Sequence, residues 1–297
     1  MATAIINLEK RKINFFKLKK LIILALVNYL LLFKLAYCNE RGKILSHVAG
    51  CYGCHTLNNK IPFSGGYEIK TKYGTLISPN ITFDKINGIG KWNIEDFSKA
   101  IKLGISPDKK PYYPALPYKW YSNLNKKDIA DIYYYLKSLP TSSIKQKPHN
   151  LKFPYNIRNL LWIRRMVEDK IFSSKRIKIK EKVETEGAYI VRTLAHCGAC
   201  HSPRTFLSII DNINDLSGNP RSSNKFNDGA PNISNNFKNG IGSWDSYDLV
   251  FFLKNGFKPN GDYVEGHMSL IIENGTSFLS ENELKSVSKY LLSEYNN

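Results

Sequence analysis

Two short stretches of this 297-residue chain carry residue types at a spacing that does specific chemistry: Cys51-Tyr52-Gly53-Cys54-His55 and Cys197-Gly198-Ala199-Cys200-His201. Two thiols three positions apart can both add to the vinyl groups of one porphyrin, and the adjacent histidine then faces the iron. Each Cys-x-x-Cys-His unit therefore predicts one covalently bound haem c, attached through Cys51 and Cys54 in the first and through Cys197 and Cys200 in the second. His55 and His201 are the expected axial iron ligands. A thioredoxin-like reading needs a βαβ context, and none is visible. A four-cysteine zinc site leaves the histidine after each pair unexplained. Only Cys38 lies outside the two units, so no disulfide framework competes for these thiols.

The elements that would position these units occur twice, at a period of about 150 residues. Arg41-Gly42 precedes the first unit and Glu186-Gly187 the second. Ser78-Pro79-Asn80-Ile81-Thr82 follows the first, and Ala230-Pro231-Asn232-Ile233-Ser234 the second; Asn80 and Asn232 suit turns, loop anchors or propionate contacts. Then come Gly88-Ile89-Gly90-Lys91-Trp92 and Gly240-Ile241-Gly242-Ser243-Trp244. Asn93 with Asp96, and Asp245 with Asp248, cap a short helix in each copy, stopped by Gly104 and Gly256. A last helix starts at Asn125 and runs to Pro140 in copy one, and starts with the Ser280–Glu283 capping box in copy two. Ile44 with Val48, and Ile190 with Leu194, have the spacing of a helix leading into each unit. Little alternating β pattern is present. The expected fold is two small all-α domains, at 39–139 and 185–297. Residues 140–184 form a linker with one helix over 156–172 and a Lys/Arg-dense stretch after it.

Met268 lies 24 residues after Trp244, between the last two expected helices, where its thioether would give the second haem His/Met coordination. His267 is adjacent and competes for the role. The same count from Trp92 reaches Leu116, which cannot bind iron. The sixth ligand of the first haem is thus unassigned. Met166, His149, Lys119 or Tyr113 would serve only if the linker folds back or the loop rearranges. His47 and His196 precede their units on the wrong side and read as packing or surface residues.

The formal charge is +18, of which the first 38 residues carry seven Lys/Arg against one Glu. A basic surface suits an acidic protein partner or an anionic membrane. No zinc-finger spacing or RNA-binding signature supports nucleic acid. Lys10 to Lys20 precede an apolar run from Leu21 to Phe33, which fits a signal segment better than a comfortable membrane span. Residues 1–38 are therefore a signal peptide or membrane anchor, with lipidation at Cys38 as a third outcome. Each outcome places the remaining chain in the periplasm, soluble or attached to the inner membrane.

Together these residues resemble the cytochrome c subunits of membrane-bound alcohol, gluconate and related sugar dehydrogenases. The resemblance covers about residues 41–297. It rests on Cys197-Gly198-Ala199-Cys200-His201-Ser202-Pro203-Arg204, the two Gly-Ile-Gly-x-Trp elements and Phe153-Pro154-Tyr155-Asn156-x-Arg158. It implies tandem cytochrome c-type domains and an electron relay from a flavin or quinoprotein dehydrogenase toward a quinone or oxidase, with no catalysis of its own. Such subunits commonly carry three haem domains, whereas this sequence has two, and their Pro-Ala-Met-Pro-Tyr methionine is Leu116 here. Leu116 keeps a dihaem enzyme or a gas sensor open as alternatives. It lacks the acid–base group that peroxide cleavage needs, which weighs against a peroxidase.

Overall fold

The computed structural model describes residues 39–57, 61–174, 185–204, 215–219 and 229–293, together with Leu24, Ile209, Ile210 and Asn212. The expected signal or anchor segment and most of the Lys/Arg-dense stretch lie outside the described residues. Among the described residues no helix is long and apolar enough to cross a membrane.

In the first half, α1 (residues 39–48) runs into α2 (Cys51–His55) through Gly50, whose φ of 71° makes the turn between them. α1 crosses α5 (Lys126–Ser138) at Gly42. A Cβ there would stand 2.6 Å from Tyr135 Cβ and 2.9 Å from the Asp131 carbonyl carbon, so the two backbones approach only because position 42 has no side chain. Arg41 fixes the crossing by pairing with Asp128 and Asp131. Asn93 and Asp96 form the capping box of α3 (Ile94–Leu103), and Gly104 ends it in the left-handed region. α4 (Tyr118–Tyr121) is a single turn that no local pattern announced.

The second half repeats this plan. α7 (Glu186–Tyr189) continues as a π-helical turn over Ile190–Leu194 and leads to α8 (Gly198–His201). It crosses α11 (Glu281–Leu291) at Gly187, where a Cβ would stand 2.5 Å from the Ser286 carbonyl carbon and 3.0 Å from Tyr290 Cβ. Capping boxes open α9 (Ser246–Asn255) and α11. Met268 sits in a further helix, α10 (His267–Asn274), where the sequence pattern had suggested a connection.

The all-α expectation needs one correction. β1 (Glu68–Thr71) and β2 (Gly74–Ile77) form a hairpin, with Glu68 opposite Ile77 and Thr71 opposite Gly74. β3 (Asn150–Leu151), from the linker, adds antiparallel to β2. Four-residue strands are too short for alternation to stand out. Thr71 Oγ1 holds the turn by donating to the Gly74 carbonyl at 2.8 Å.

The linker is bound to the first half. Arg158 Nε donates to the Pro111 carbonyl at 2.8 Å; Arg165 donates to the carbonyls of Leu103 (3.0 Å) and Gly104 (2.7 Å) and stacks over Tyr118. These contacts secure a 3₁₀ turn at Arg158–Leu160 and α6 (Leu161–Ser174). The two halves share one apolar core, in which Leu45, Phe97, Ile132 and Leu136 join Ile190, Val191, Leu249, Leu284 and Leu291. Tyr189 crosses between the halves, donating its hydroxyl to buried Asp128 at 2.6 Å and accepting from Asn125 Nδ2 at 3.1 Å.

Candidate functional site

Both Cys-x-x-Cys-His units are short helices whose histidines are held in the same way. His55 Nδ1 lies 2.8 Å from the Pro79 carbonyl and His201 Nδ1 lies 2.7 Å from the Pro231 carbonyl. A carbonyl only accepts, so each Nδ1 carries the proton and each Nε2 keeps a lone pair for a metal. Burial pushes both imidazoles below their ordinary pKa, and the carbonyl bonds oppose this only in part, so both rings are neutral near pH 7. The proline carbonyls come from the two matching Pro-Asn elements. Asn80 itself anchors its loop, donating to the Ser142 carbonyl at 2.7 Å and accepting from Thr82. Asn232 accepts from the Ser234 amide at 2.8 Å.

No disulfide joins the four motif cysteines. Burial, reinforced by the neighbouring cysteine, pushes Cys51 and Cys197 up to about 12. A disulfide oxidoreductase needs the opposite, a thiol lowered toward neutrality. Among the described residues no cluster of three or more His, Cys, Asp or Glu could hold a metal ion, so a four-cysteine zinc site is not assembled.

The two units open on one cavity of about 2290 Å³, well above the roughly 300–1,000 Å³ of an ordinary small-molecule pocket. Cys54 lines it from the first unit, and Cys197, Cys200 and His201 from the second. Leu116, Met268 and His267 stand on its walls. Among the buried polar atoms on the wall, Trp120 Nε1 and Asn219 Oδ1 have no hydrogen-bond partner among the described residues. Buried donors are ordinarily satisfied, so the indole N–H calls for an acceptor from a bound group. Apolar walls, neutral histidines with a free Nε2, and paired thiols are the donor set of a covalently held haem.

The other sixth-ligand candidates fall elsewhere or are engaged. Met166 is 65 % exposed, and His149 Nδ1 accepts from the Ile77 amide at 3.1 Å; neither lines the cavity. Tyr113 donates to the Tyr155 carbonyl at 3.2 Å, and Lys119 pairs with Glu168 at 2.8 Å; both line it. His47 packs as expected, between the rings of Tyr52 (4.3 Å) and Phe278 (3.9 Å), with Nδ1 3.0 Å from the Asn274 carbonyl. His196 belongs to the cavity wall; its Cε1 would stand 3.5 Å from a Cβ on Gly50, so the segments before the two units meet there.

Residues 39–140 match the cytochrome c family. Over 263 residues the chain is 32 % identical to a diheme cytochrome c-type protein of Cereibacter sphaeroides, covering 85 % of this chain and 84 % of that protein. It is 36 % identical over 260 residues to the fructose dehydrogenase cytochrome subunit of Gluconobacter japonicus, and 32 % identical over 259 residues to the cytochrome c subunit of the alcohol dehydrogenase (quinone) of Gluconobacter oxydans. Each of these two alignments covers 86 % of this chain but only 52 % and 54 % of the respective subunit, so the chain spans about half their length.

Proposed function

Because the chain belongs to the cytochrome c family, we propose that it is a periplasmic dihaem electron-transfer protein built from two tandem cytochrome c domains, relaying electrons from a membrane-associated dehydrogenase toward the respiratory chain. Haem iron supplies a one-electron ferric/ferrous couple. What the protein contributes is attachment, orientation and burial. Cys51 and Cys54 hold one group and Cys197 and Cys200 the other. His55 and His201 offer Nε2 to the two irons, their rings fixed by the Pro79 and Pro231 carbonyls. Met268, on the wall of the cavity that His201 also lines, would offer a thioether to the second iron. The observation that carries this reading is the identical histidine–carbonyl pair at both units, whose Cys54, Cys197 and Cys200 line one shared cavity.

The shared cavity favours exchange between the two groups without a diffusing carrier. Similarity to dehydrogenase cytochrome subunits supports a flavin or quinoprotein dehydrogenase as donor and a quinone or oxidase as acceptor. Reductive titration of the purified holoprotein tests the relay: two electrons per chain are expected, and uptake of one or none contradicts it. Leu116 on the cavity wall supports a second reading, small-ligand binding at the first haem, which carbon monoxide difference spectra would detect.

A further inference from the structure

Four aromatic rings of the second half form a continuous row on its surface. Tyr247 stacks on Phe251 with ring centroids 6.0 Å apart, Phe251 lies 6.2 Å from Phe257, and Phe257 meets Tyr263 edge-on at 5.3 Å. In that order they are 73, 40, 43 and 49 % exposed. Tyr263 also lines the cavity, together with Cys200, His201 and Met268, whereas the other three rings do not. The fold does not demand this row, because the first half does without it. Aligning Trp92 with Trp244 sets Glu95, Lys99 and Ile105 opposite Tyr247, Phe251 and Phe257, and Glu95 and Lys99 are exposed polar positions. The end of α3 is instead covered by polypeptide: Arg165 on α6 donates to the Leu103 and Gly104 carbonyls, and Arg158 to that of Pro111. At the matching end of α9, Gly256 makes room for the Tyr263 ring, which a Cβ there would approach to 2.7 Å.

Aromatic rings that contact one another in water leave a contiguous apolar strip, and such strips mark interaction sites. Charge indicates what covers this one. From Asp245 to Glu265 the chain carries Asp245, Asp248, Asp262 and Glu265 against Lys254 and Lys258, within a chain of formal charge +18. Asp248 adjoins Tyr247 and Asp262 adjoins Tyr263. Lys254 donates its ammonium to the Leu279 carbonyl at 3.0 Å. The row is therefore an apolar strip with an acidic border on a basic protein. An anionic membrane, or a second copy of the same strip, would meet like charge there. A protein face with an apolar centre and a Lys/Arg border meets complementary charge. α6 and its arginines show that a helix of this kind packs on the matching place in the first half. Resting on the electron-transfer reading above, we propose that Tyr247, Phe251, Phe257 and Tyr263 are the docking face for a redox protein of that chemistry. Tyr263 joins the strip to the cavity that the second unit lines, so each encounter passes one electron from the partner's reduced group to the ferric second haem. Four rings make a small contact, the size of a transient electron-transfer encounter and not of a permanent assembly.

The test places a photo-crosslinking side chain, p-benzoylphenylalanine, at position 247 of the full haem-loaded chain in its own cells, with the same group at position 95 as control. Irradiation should join position 247 to a protein that holds a flavin, quinone or haem, through a peptide flanked by Lys or Arg. The yield at position 95 should be lower by about tenfold or more, as should the yield at position 247 when Phe251→Glu is added. Asp262→Lys, which inverts the border charge, should reduce it about threefold. With the partner so identified, Phe251→Glu in the otherwise unaltered chain should slow its reduction of the second haem by about tenfold and leave both haem potentials at the parent values. Adducts chiefly with lipid, with a second copy of the chain or with a protein lacking a redox group overturn the proposal. So do equal yields at positions 247 and 95, no adduct at all, or an adduct indifferent to Phe251→Glu. A chain without haem removes the electron-transfer reading as well. A chain that takes up two electrons but gives none of the expected adduct removes only this surface.

Discussion

Gly187→Ala is a direct test of how the second Cys-x-x-Cys-His unit is held. α7 leads to that unit and crosses α11 with no room for a side chain: a Cβ would overlap the Ser286 carbonyl oxygen and stand 2.5 Å from its carbon. Ordinary contact begins near 3.4 Å, so α7 and α11 would have to separate by about 1 Å at a packed crossing. Overpacking of this kind costs about 1–3 kcal/mol. Against it stands the intrinsic preference of alanine over glycine inside a helix, about 0.5–1 kcal/mol. Rigid backbone faces the new methyl, so the upper half of the cost applies and the net loss should be about 1–2 kcal/mol. Urea unfolding followed by circular dichroism should show a lower midpoint with an unchanged slope. An unchanged or raised midpoint would mean that propensity dominates and the crossing is not tight. Gly42→Ala makes the same test at the α1–α5 crossing.

Three further outcomes follow. Asp128→Ala should destabilise the protein by about 3–5 kcal/mol in the same assay, because it strips Arg41 and Tyr189 of a buried shared partner; a loss below about 1 kcal/mol would show the network to be dispensable. His47 is held neutral, its folded pKa lowered by burial first and by Lys43 last, with the Asn274 carbonyl opposing. The unfolded chain therefore takes up a proton that the folded chain refuses, so stability present above about pH 6.5 should fall as pH drops through that value. His47→Leu should flatten that part of the pH profile, and an unaltered profile would exclude His47 as its source. Leu116→Met should convert a high-spin first haem to low-spin and abolish its carbon monoxide uptake; spectra identical to the parent would remove Leu116 from the first haem's coordination sphere.

The parts of the fold governed by local chemistry were legible in the sequence. Asn93, Asn125, Asp245 and Ser280 start helices by accepting from the amide three residues on, and that preference is visible in any sequence. Both glycines of the helix crossings lie in the repeated Arg-Gly and Glu-Gly pairs, although their partners on α5 and α11 are fixed only by tertiary packing. The proline–asparagine elements drew attention to Asn80 and Asn232. The site uses the carbonyl of the preceding proline, a group that every residue possesses and no sequence pattern marks. The matching positions of Pro79 and Pro231 were the available signal. The linker's return was hidden for a similar reason, since Arg158 and Arg165 bind backbone carbonyls far away in sequence. Glu168 offered no cue either: an acidic residue in a helix ordinarily faces solvent, and only the juxtaposition of Lys119 and Arg164 allows its burial.

The most direct test of the central claim is the intact mass of the mature chain, measured after denaturing extraction that removes any haem not covalently bound. Two haem groups per chain are predicted, falling to one in Cys51→Ala/Cys54→Ala and to one in Cys197→Ala/Cys200→Ala. A mature chain with fewer than two, or one whose haem is lost on extraction, contradicts the account.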